Sequence, residues 1–251
     1  MIFRKNDEEL AKMRRAGRIT AGAIDRVAAA VAPGRTTADL DAVAEEYIRS
    51  QGATPSFLGY RGFPASICAS LNDEVVHGIP SPSRVLNDGD VLSLDFGAIW
   101  EGFHSDSAVT VFVGDPPSDE AEKLVRVTEE SLEAGISEIK EGARLGDIGH
   151  AVQQVVEGAG FSVVREYVGH GIGRALHEDP QIPNYGQPHR GLPLKTGMVI
   201  AVEPMVNVGD WPTRALADGW TVVTADGSLS AHFEHTIALT SNGREVLTAR
   251  D

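Results

Sequence analysis

The sequence predicts an α/β (α+β) protein with two similar halves, each built from two helices followed by a sheet. Two observations support this prediction. First, the order helix, helix, sheet occurs twice along the 251 residues. Second, a shift of 108 residues places glycines and the apolar helix face of the first half on matching residues of the second, and it places Asp95 on Glu203. Two facing halves of this kind enclose a central cleft, in which these two carboxylates would meet.

Apolar residues at helical spacing predict two helices in each half. Thr36 or Thr37 is expected to cap the second helix, and Ser118 or Asp119 to begin the third. The predicted helices span residues 7–31, 37–51, 118–139 and 145–156. Strand-like runs cover residues 66–71, 91–113, 161–170, 198–208, 221–224 and 232–240. No composition shift marks a linker, so residues 1–251 are expected to form one domain, with halves of about 1–115 and 116–251.

Composition and charge limit the function classes. A hydrophobic content of 42% is enough for a large core. The net charge of −14 argues against a general nucleic-acid groove or membrane surface. The one cysteine, Cys68, excludes an intrachain disulfide and suits a reducing compartment. Because we find neither a secretion signal nor an apolar run of membrane-spanning length, a cytoplasmic location is expected.

A hairpin over residues 91–113 organises the first half. Its two strands are predicted to turn near Trp100 and Gly102, which would place Asp95 opposite Asp106. Like charges at opposed positions are destabilising, and a carboxylate in an apolar run needs a proton or a cation. A divalent metal ion would satisfy both requirements. The alternative is an exposed hairpin whose carboxylates point into water.

A second hairpin is predicted around the turn signal at Asp218, which would place Glu203 opposite Glu234. Pro204 and Pro212 interrupt its strands, so this register stays open. Four carboxylates embedded in apolar strands are typical of a site for one or two hard or borderline divalent cations.

Three histidines are candidates for the same cleft. His170 lies in the stretch VGHGIG, whose glycine spacing does not match a dinucleotide fingerprint, and it is a candidate metal ligand. His77 and His177 each precede a proline by three residues, which suggests equivalent places in the two halves. The remaining histidines are expected to be structural or surface residues: His104, His150, His189, His232 and His235.

These residues and their surroundings resemble the bacterial type I methionine aminopeptidases across nearly the whole chain. The matching stretches are SICASLNDEVVHGIP, LSLDFGA, GFHSDSAVT, VREYVGHGIGRALHEDP, AVEPMV, DGWTV and SLSAHFEHTI. The resemblance implies the pita-bread fold, with two related halves around a central dinuclear metal cleft. It implies two divalent ions (Co, Mn, Fe(II) or Zn), with Asp106 and Glu234 bridging them. The implied ligand set is Asp95, Asp106, His170, Glu203 and Glu234.

The resemblance also implies the reaction. A metal-bridging hydroxide would hydrolyse the bond after an N-terminal initiator methionine when the second residue is small. Glu203 is similar to a general base, His77 to a group that stabilises the intermediate or protonates the leaving amine, and His177 to a residue that contacts the substrate peptide bond. The implied methionine slot is lined by Phe57, Tyr60, Phe63, Cys68, Leu176 and Trp220.

Further expectations follow from the same resemblance. Asn72 and Ser230 are similar to residues near a structural monovalent cation. The expected partners are nascent peptides with N-terminal methionine and, transiently, the ribosome, and the expected oligomeric state is a monomer. Four residues depart from the family pattern without touching the ligand set: Phe57, Phe63, Leu176 and Val76.

Three alternatives differ from this interpretation in features that the sequence can show. Proline-specific peptidases of the same fold share the five ligands but usually carry an additional N-terminal domain, for which this chain has no room. A binding protein that has lost catalysis would have altered ligands, whereas all five are present. A metal-stabilised scaffold would not need the additional acid and base that His77 and His177 would provide.

Overall fold

A computed structural model describes residues 2–250. Its α-helices are α1 (Asp7–Ala28), α2 (Thr37–Ser50), α3 (Asp119–Ser137) and α4 (Leu145–Gly158), and a 3-10 turn covers Tyr60–Gly62. Strands in the first half are β1 (Thr54–Pro55), β2 (Ile67–Leu71), β3 (Glu74–Val76), β4 (Val91–Trp100) and β5 (Phe103–Phe112). Those in the second are β6 (Ser162–Val163), β7 (Gly169–Gly171), β8 (Glu178–Ile182), β9 (Val199–Val202), β10 (Met205–Asn207), β11 (Thr213–Ala215), β12 (Val222–Thr224), β13 (Ser230–His232), β14 (His235–Thr240) and β15 (Gly243–Val246).

The four helices form where the sequence predicts them. The Thr36 side chain caps α2 in a capping box with Asp39, and Ser118 caps α3. The first helix ends at Ala28, earlier than predicted, and the N–H groups of residues 30 and 31 bond to carbonyls three residues back instead of four. No helix among residues 2–250 combines the length and apolar character needed to cross a membrane.

The two halves repeat with the offset that the sequence predicts. Helices α2 and α4 have 14 residues each, and the shift of 108 residues converts the bounds of one into those of the other. Isolated β-bridges join Thr36 to Val85 and Arg144 to Pro193, which is the same pair of positions in each half. The turn glycines before these helices, Gly34 and Gly142, both have positive φ, 86° and 83°. This agreement confirms two pseudo-symmetric helix-helix-sheet halves.

In the sheet of the first half, β5 pairs along the whole of β4, while β1 and β2 pair with different parts of β4. The sheet of the second half has the order β15-β14-β9-β7-β8. Smaller sheets join β13-β10-β6 and β11-β12-β3. The strand predicted over residues 161–170 was wrong, because only β6 and β7 form there and residues 164–168 lie between them without strand pairing. The predicted strands 198–208 and 232–240 each divide into two.

The register of the first hairpin differs from the prediction. Asp95 pairs with Ala108, and Asp106 pairs with Gly97, so the two carboxylates are diagonal and not directly opposed. The difference arises because the turn is centred on Glu101 and Gly102, which have φ of 47° and 79°, the pattern of a tight two-residue turn. Both carboxylates still lie on one face of the sheet, because side chains alternate with a period of two.

The second hairpin keeps the predicted register along its whole length. Val202 pairs with His235 in β9 and β14, Met205 pairs with His232 in β10 and β13, and the same alignment continues through β11 and β12 to the turn beyond. Glu203 therefore faces Glu234 as predicted, but the strand ladder is interrupted at both residues. Pro204 contributes to this break because it has no N–H to donate.

The two halves join along a seam, which we define as Asp106, Ala108 and Thr110 of β5 facing residues 232–236. Ala108 and Glu234 exchange two backbone hydrogen bonds, at 3.3 and 3.0 Å. The hydroxyl of Thr236 accepts a hydrogen bond from the Asp106 N–H and donates one to the Asp106 carbonyl. Thr110 makes the corresponding pair of hydrogen bonds to His232. The largest apolar core contains residues of both halves, so the seam crosses a shared interior.

Candidate active site

The structure brings the five predicted ligands together at the seam. Asp95 and Asp106 come from the middle of β4 and β5, and His170 is the central residue of β7. Glu203 follows β9, and Glu234 precedes β14, so both lie in the break of the second hairpin. Each half therefore contributes two carboxylates, and the second half adds the imidazole.

The distances among these side chains are short. Nε2 of His170 lies 3.5 Å from a carboxylate oxygen of Glu203 and 3.7 Å from one of Asp106. One ligand atom each from Asp106, His170 and Glu234 lie within 4.8 Å of one another. Nδ1 of His170 lies 2.9 Å from the Gly171 carbonyl oxygen, so a proton on Nδ1 leaves the Nε2 lone pair facing the carboxylates.

The electrostatics of the cluster require a cation or protons. Burial raises the pKa of Asp95 to about 7, and burial together with the neighbouring carboxylates raises the pKa values of Asp106, Glu203 and Glu234 above their usual range. Buried carboxylate oxygens of Asp95, Asp106 and Glu234 accept no hydrogen bond from residues 2–250. A divalent cation would satisfy these oxygens and hold the groups ionised, so the donor set fits a hard or borderline metal ion.

The predicted catalytic and substrate residues line the same cavity as the ligands. This cavity has a volume of about 330 Å³. Its walls comprise Phe57, Tyr60, Arg61, Phe63, Cys68, His77, Asp95, Asp106, His170, Leu176, His177, Glu203, Trp220 and Glu234. A cavity with one charged wall and one apolar wall is suited to an amphipathic small ligand or chain terminus.

His77 and His177 line this cavity, and the 108-residue shift that relates the helices places His77 on Tyr185 and not on His177. The strands before them follow a different offset, because Ser70 pairs with Ser93 in β4 and His170 pairs with the matching Ala201 in β9, so the equivalence inferred from their proline spacing stays a prediction. His77 follows β3 with a left-handed backbone, φ 62°, and its ring packs edge-on against Tyr167 and Trp220. Burial lowers the pKa of His77 to about 4, so this ring is neutral near pH 7.

His177 lies in the loop before β8. Its Nδ1 is 2.8 Å from the Tyr60 hydroxyl, and its ring centroid is 4.3 Å from that of His170. Burial lowers the pKa of His177. His170 and His177 also line a larger groove of about 750 Å³, so both residues border the two spaces.

The apolar wall is the candidate methionine slot. Phe63 and Trp220 meet edge to face with centroids 5.1 Å apart. Phe57, Cys68 and Leu176 are buried in the same hydrophobic cluster. Cys68 pairs with Asp95 across β2 and β4, and burial raises the pKa of its thiol, which keeps it protonated.

Sequence reasoning missed two residues at the site. His232 was expected to be structural or superficial, but its buried Nε2 lies 3.8 Å from Glu203 and has no hydrogen-bond partner in the described part of the chain. Its position two residues before Glu234 was the available signal, since alternate residues of a strand share a face. Arg61 lines the cavity from the turn after Tyr60, and no sequence pattern indicated it.

The residues expected near a monovalent cation are adjacent to each other. Ser230 donates its N–H to the Asn72 carbonyl at 2.9 Å, and its hydroxyl lies 2.9 Å from Oδ1 of Asn207. Asn72 has a left-handed backbone, φ 59°. The backbone of Asn72 thus links the end of β2 to β13.

Comparisons with known proteins give a consistent result. The model of metallopeptidase family M24 matches residues 11–241. The chain is 56% identical over 248 residues to methionine aminopeptidase 1 of Bacillus subtilis, covering 99% of each chain. It is similar to the crystal structure of methionine aminopeptidase from Thermotoga maritima, with a TM-score of 0.97, 48% identity and all of both chains covered. Prolidase from Pyrococcus furiosus shares the fold at 22% identity, with a TM-score of 0.79 over 99% of this chain and 66% of that one.

Proposed function

The chain belongs to metallopeptidase family M24, and from this premise we propose that it removes the initiator methionine from nascent polypeptides whose second residue is small. One observation carries the proposal: five candidate metal ligands, two further histidines and an apolar slot line one cavity. The cavity thus combines a charged wall with a wall that suits an unbranched, adaptable thioether side chain.

Membership of the family and the buried carboxylate and histidine cluster imply the use of divalent metal ions. We propose that two ions would be held by Asp95, Asp106, His170, Glu203 and Glu234; Co, Mn, Fe(II) and Zn all suit these donors. When bound, such ions lower the pKa of water and polarise the scissile carbonyl.

The protein's own groups then handle protons and position the substrate. Glu203 takes the proton of the attacking water, since a carboxylate oxygen of Glu203 lies beside His170 in the ligand cluster. The neutral ring of His77 donates an N–H hydrogen bond to the substrate carbonyl oxygen, as its lowered pKa favours. His177, with Nδ1 beside the Tyr60 hydroxyl, directs Nε2 toward the peptide bond.

The apolar slot selects the side chain. Phe57, Phe63, Leu176 and Trp220 supply its walls, and Cys68 contributes a small polarisable group. A branched first residue would overfill the slot. A charged one would lose its hydration without gaining a partner. The second residue lies outside the slot.

Further parts of the proposal concern the working state of the protein. We propose that the whole chain acts as one catalytic domain, as a monomer in the cytoplasm, on peptides emerging from the ribosome. A monovalent cation at Asn72 and Ser230 would stabilise the connection between β2 and β13, since carbonyl and hydroxyl oxygens are suitable ligands there.

The decisive experiment is hydrolysis of Met-Ala-Ser and Ala-Pro-Ser by metal-reconstituted protein. Methionine release alone, abolished by chelator and reduced in His77→Ala, is the expected result. Cleavage of Ala-Pro-Ser instead would assign the chain to the proline-specific branch of the fold. No cleavage with any of the four metals would contradict the enzymatic proposal.

A further inference from the structure

A buried ion pair joins the N-terminal segment to the loop that carries His177. Nζ of Lys5 lies 2.7 Å from Oε2 of Glu178, and the two side chains are only 5% and 8% exposed. Glu178 is the residue after His177 and the first residue of β8. A charge this deeply buried is costly without its partner, so the pair holds the two side chains in a fixed relative position.

The loop itself, residues 172–177, has no helix or strand. The second oxygen of Glu178 accepts the N–H of Ala175, so the same carboxylate holds the loop at a point before His177. A Cβ on Gly173 would lie 2.4 Å from Cε of Lys5 and 2.7 Å from the Glu178 carboxylate. The loop backbone is therefore packed directly against the ion pair.

Lys5 is well anchored on its own side. Its backbone N–H donates to the Gly197 carbonyl at 2.6 Å, two residues before β9, the strand that leads to Glu203. The next residue, Asn6, caps α1 through a capping box. Lys5 therefore connects the loop to the start of α1 and to the chain before β9.

From these contacts we infer that Lys5 is a positioning residue: through Glu178 it fixes the loop so that His177 faces the substrate. The inference rests on the role proposed for His177. The loop is also bonded at Gly173, whose carbonyl accepts the His104 N–H at 2.8 Å, but Glu178 is the anchor next to His177 in the chain. Small displacements of a catalytic group cost large factors in rate.

The test uses the metal-loaded full chain and the variant Lys5→Met, which keeps the length of the side chain and removes its charge. We expect kcat/KM for Met-Ala-Ser to fall at least about tenfold, with bound metal per protein unchanged. Lys12→Met is the matched control, because Lys12 lies on α1 in a more exposed pair with Glu8 at 3.2 Å, and it should stay within about twofold of wild type.

A double-mutant cycle separates positioning from a general structural role. In the His177→Ala background, Lys5→Met should reduce kcat/KM by less than about twofold, because the group it positions is gone. A full tenfold reduction in that background would overturn the inference. If His177→Ala alone retains wild-type kcat/KM, the proposed role of His177 fails first. If His177→Ala is impaired but Lys5→Met is not, only the inference about Lys5 fails.

A second variant covers the case in which Lys5→Met does not fold because Glu178 is left unpaired. The double variant Lys5→Met/Glu178→Met removes both charges, and apolar replacement of a buried pair is often tolerated. We expect its Tm to recover while kcat/KM stays lowered at least about tenfold. Recovery of both quantities would show that the ion pair serves stability alone.

Discussion

The hairpin of β4 and β5 and the longer hairpin that begins with β9 and β14 each supply two carboxylates to the centre, but they hold them differently. The first is an uninterrupted ladder from Val91 to Phe112, so Asp95 and Asp106 have paired backbones. The second keeps one register throughout, yet its ladder stops where Glu203 and Glu234 occur.

The difference shows two ways to place a ligand. In the first hairpin the strand ladder itself fixes the carboxylates. In the second, other groups replace the missing ladder: Asn184 donates its side-chain N–H to the Glu203 carbonyl at 2.9 Å, and Ala108 pairs with Glu234 across the seam. The second hairpin therefore depends on the first for its geometry, and the variants below test that dependence.

The largest effect is expected where both hairpins meet. Asp106→Asn removes the carboxylate that lies near both His170 and Glu234 and should reduce kcat/KM by about 10³-fold or more, with loss of bound metal. Metal analysis and peptide hydrolysis measure both. Asp115→Asn, an exposed aspartate just beyond β5, is the matched control and should behave as wild type. Retained metal and activity in Asp106→Asn would contradict the assigned centre.

Gly97→Ala should damage the ladder of the first hairpin. The new Cβ would lie 2.6 Å from the Ser56 side chain and 2.9 Å from the Phe57 ring, on the strand position that pairs with Asp106. We expect a loss of about 1–3 kcal/mol in unfolding free energy, measured by denaturant unfolding. Gly158→Ala at the end of α4, where nothing lies within 4 Å, should keep or slightly raise the unfolding free energy. Equal stability of the two variants would refute the tight packing at Gly97.

Thr236→Val tests the seam without touching a ligand. The variant removes the hydroxyl that bonds both the N–H and the carbonyl of Asp106, and it leaves these buried groups unpaired. The expected cost is about 1–2 kcal/mol of unfolding free energy, with weaker metal binding by calorimetry. Thr240→Val is in the same strand, but its hydroxyl is bonded only to the neighbouring residues Asn242 and Gly243, so it should leave metal affinity unchanged. Unchanged metal affinity in both variants would contradict a contribution of the seam to metal binding.

The smallest effect concerns pH. The folded-state pKa of Asp95, about 7, exceeds its unfolded value of 3.8, so its stabilising contribution to metal-free protein is complete below about pH 4 and is lost as pH rises through 7. Bound metal holds the carboxylate ionised and offsets this loss. The unfolding free energy gained from metal should therefore grow by about 1 kcal/mol between pH 6 and pH 8.

Histidines with lowered pKa values, such as His77, change stability in the opposite direction with pH. They do so with and without metal, and the comparison of the two forms cancels their contribution. Thermal unfolding of both forms over this pH range provides the measurement. A gain from metal that shrinks as pH rises would contradict the buried carboxylate cluster.

Sequence information was sufficient where one signal controls the geometry. Helix caps such as Thr36 marked the helix starts, and the Asp218 turn set the register of the second hairpin. The register of the first hairpin was displaced because Glu101 adopts a positive φ, which cannot be predicted from a non-glycine residue. The same face was still predicted, since an even displacement preserves side-chain direction.

The remaining errors have similar physical causes. β8 and β11 were missed because their exposed positions are polar and their pairing depends on distant strands. His232 was missed because it was considered as an isolated histidine, although its position two residues before Glu234 indicated the same face. The clustering of the predicted site residues, by contrast, followed from the resemblance and from the repeat taken together.

Helices α2 and α4 and the two β-bridges share one offset, as expected for a duplicated unit. Two such units facing each other resemble a two-fold dimer whose subunits are joined in one chain. In a true two-fold dimer, groups on the axis must be identical pairs. Covalent fusion lifts that restriction: an aspartate, Asp106, can oppose a glutamate, Glu234, and His170 can come from one side only. An asymmetric substrate with a distinct amino end then meets a surface that is itself asymmetric.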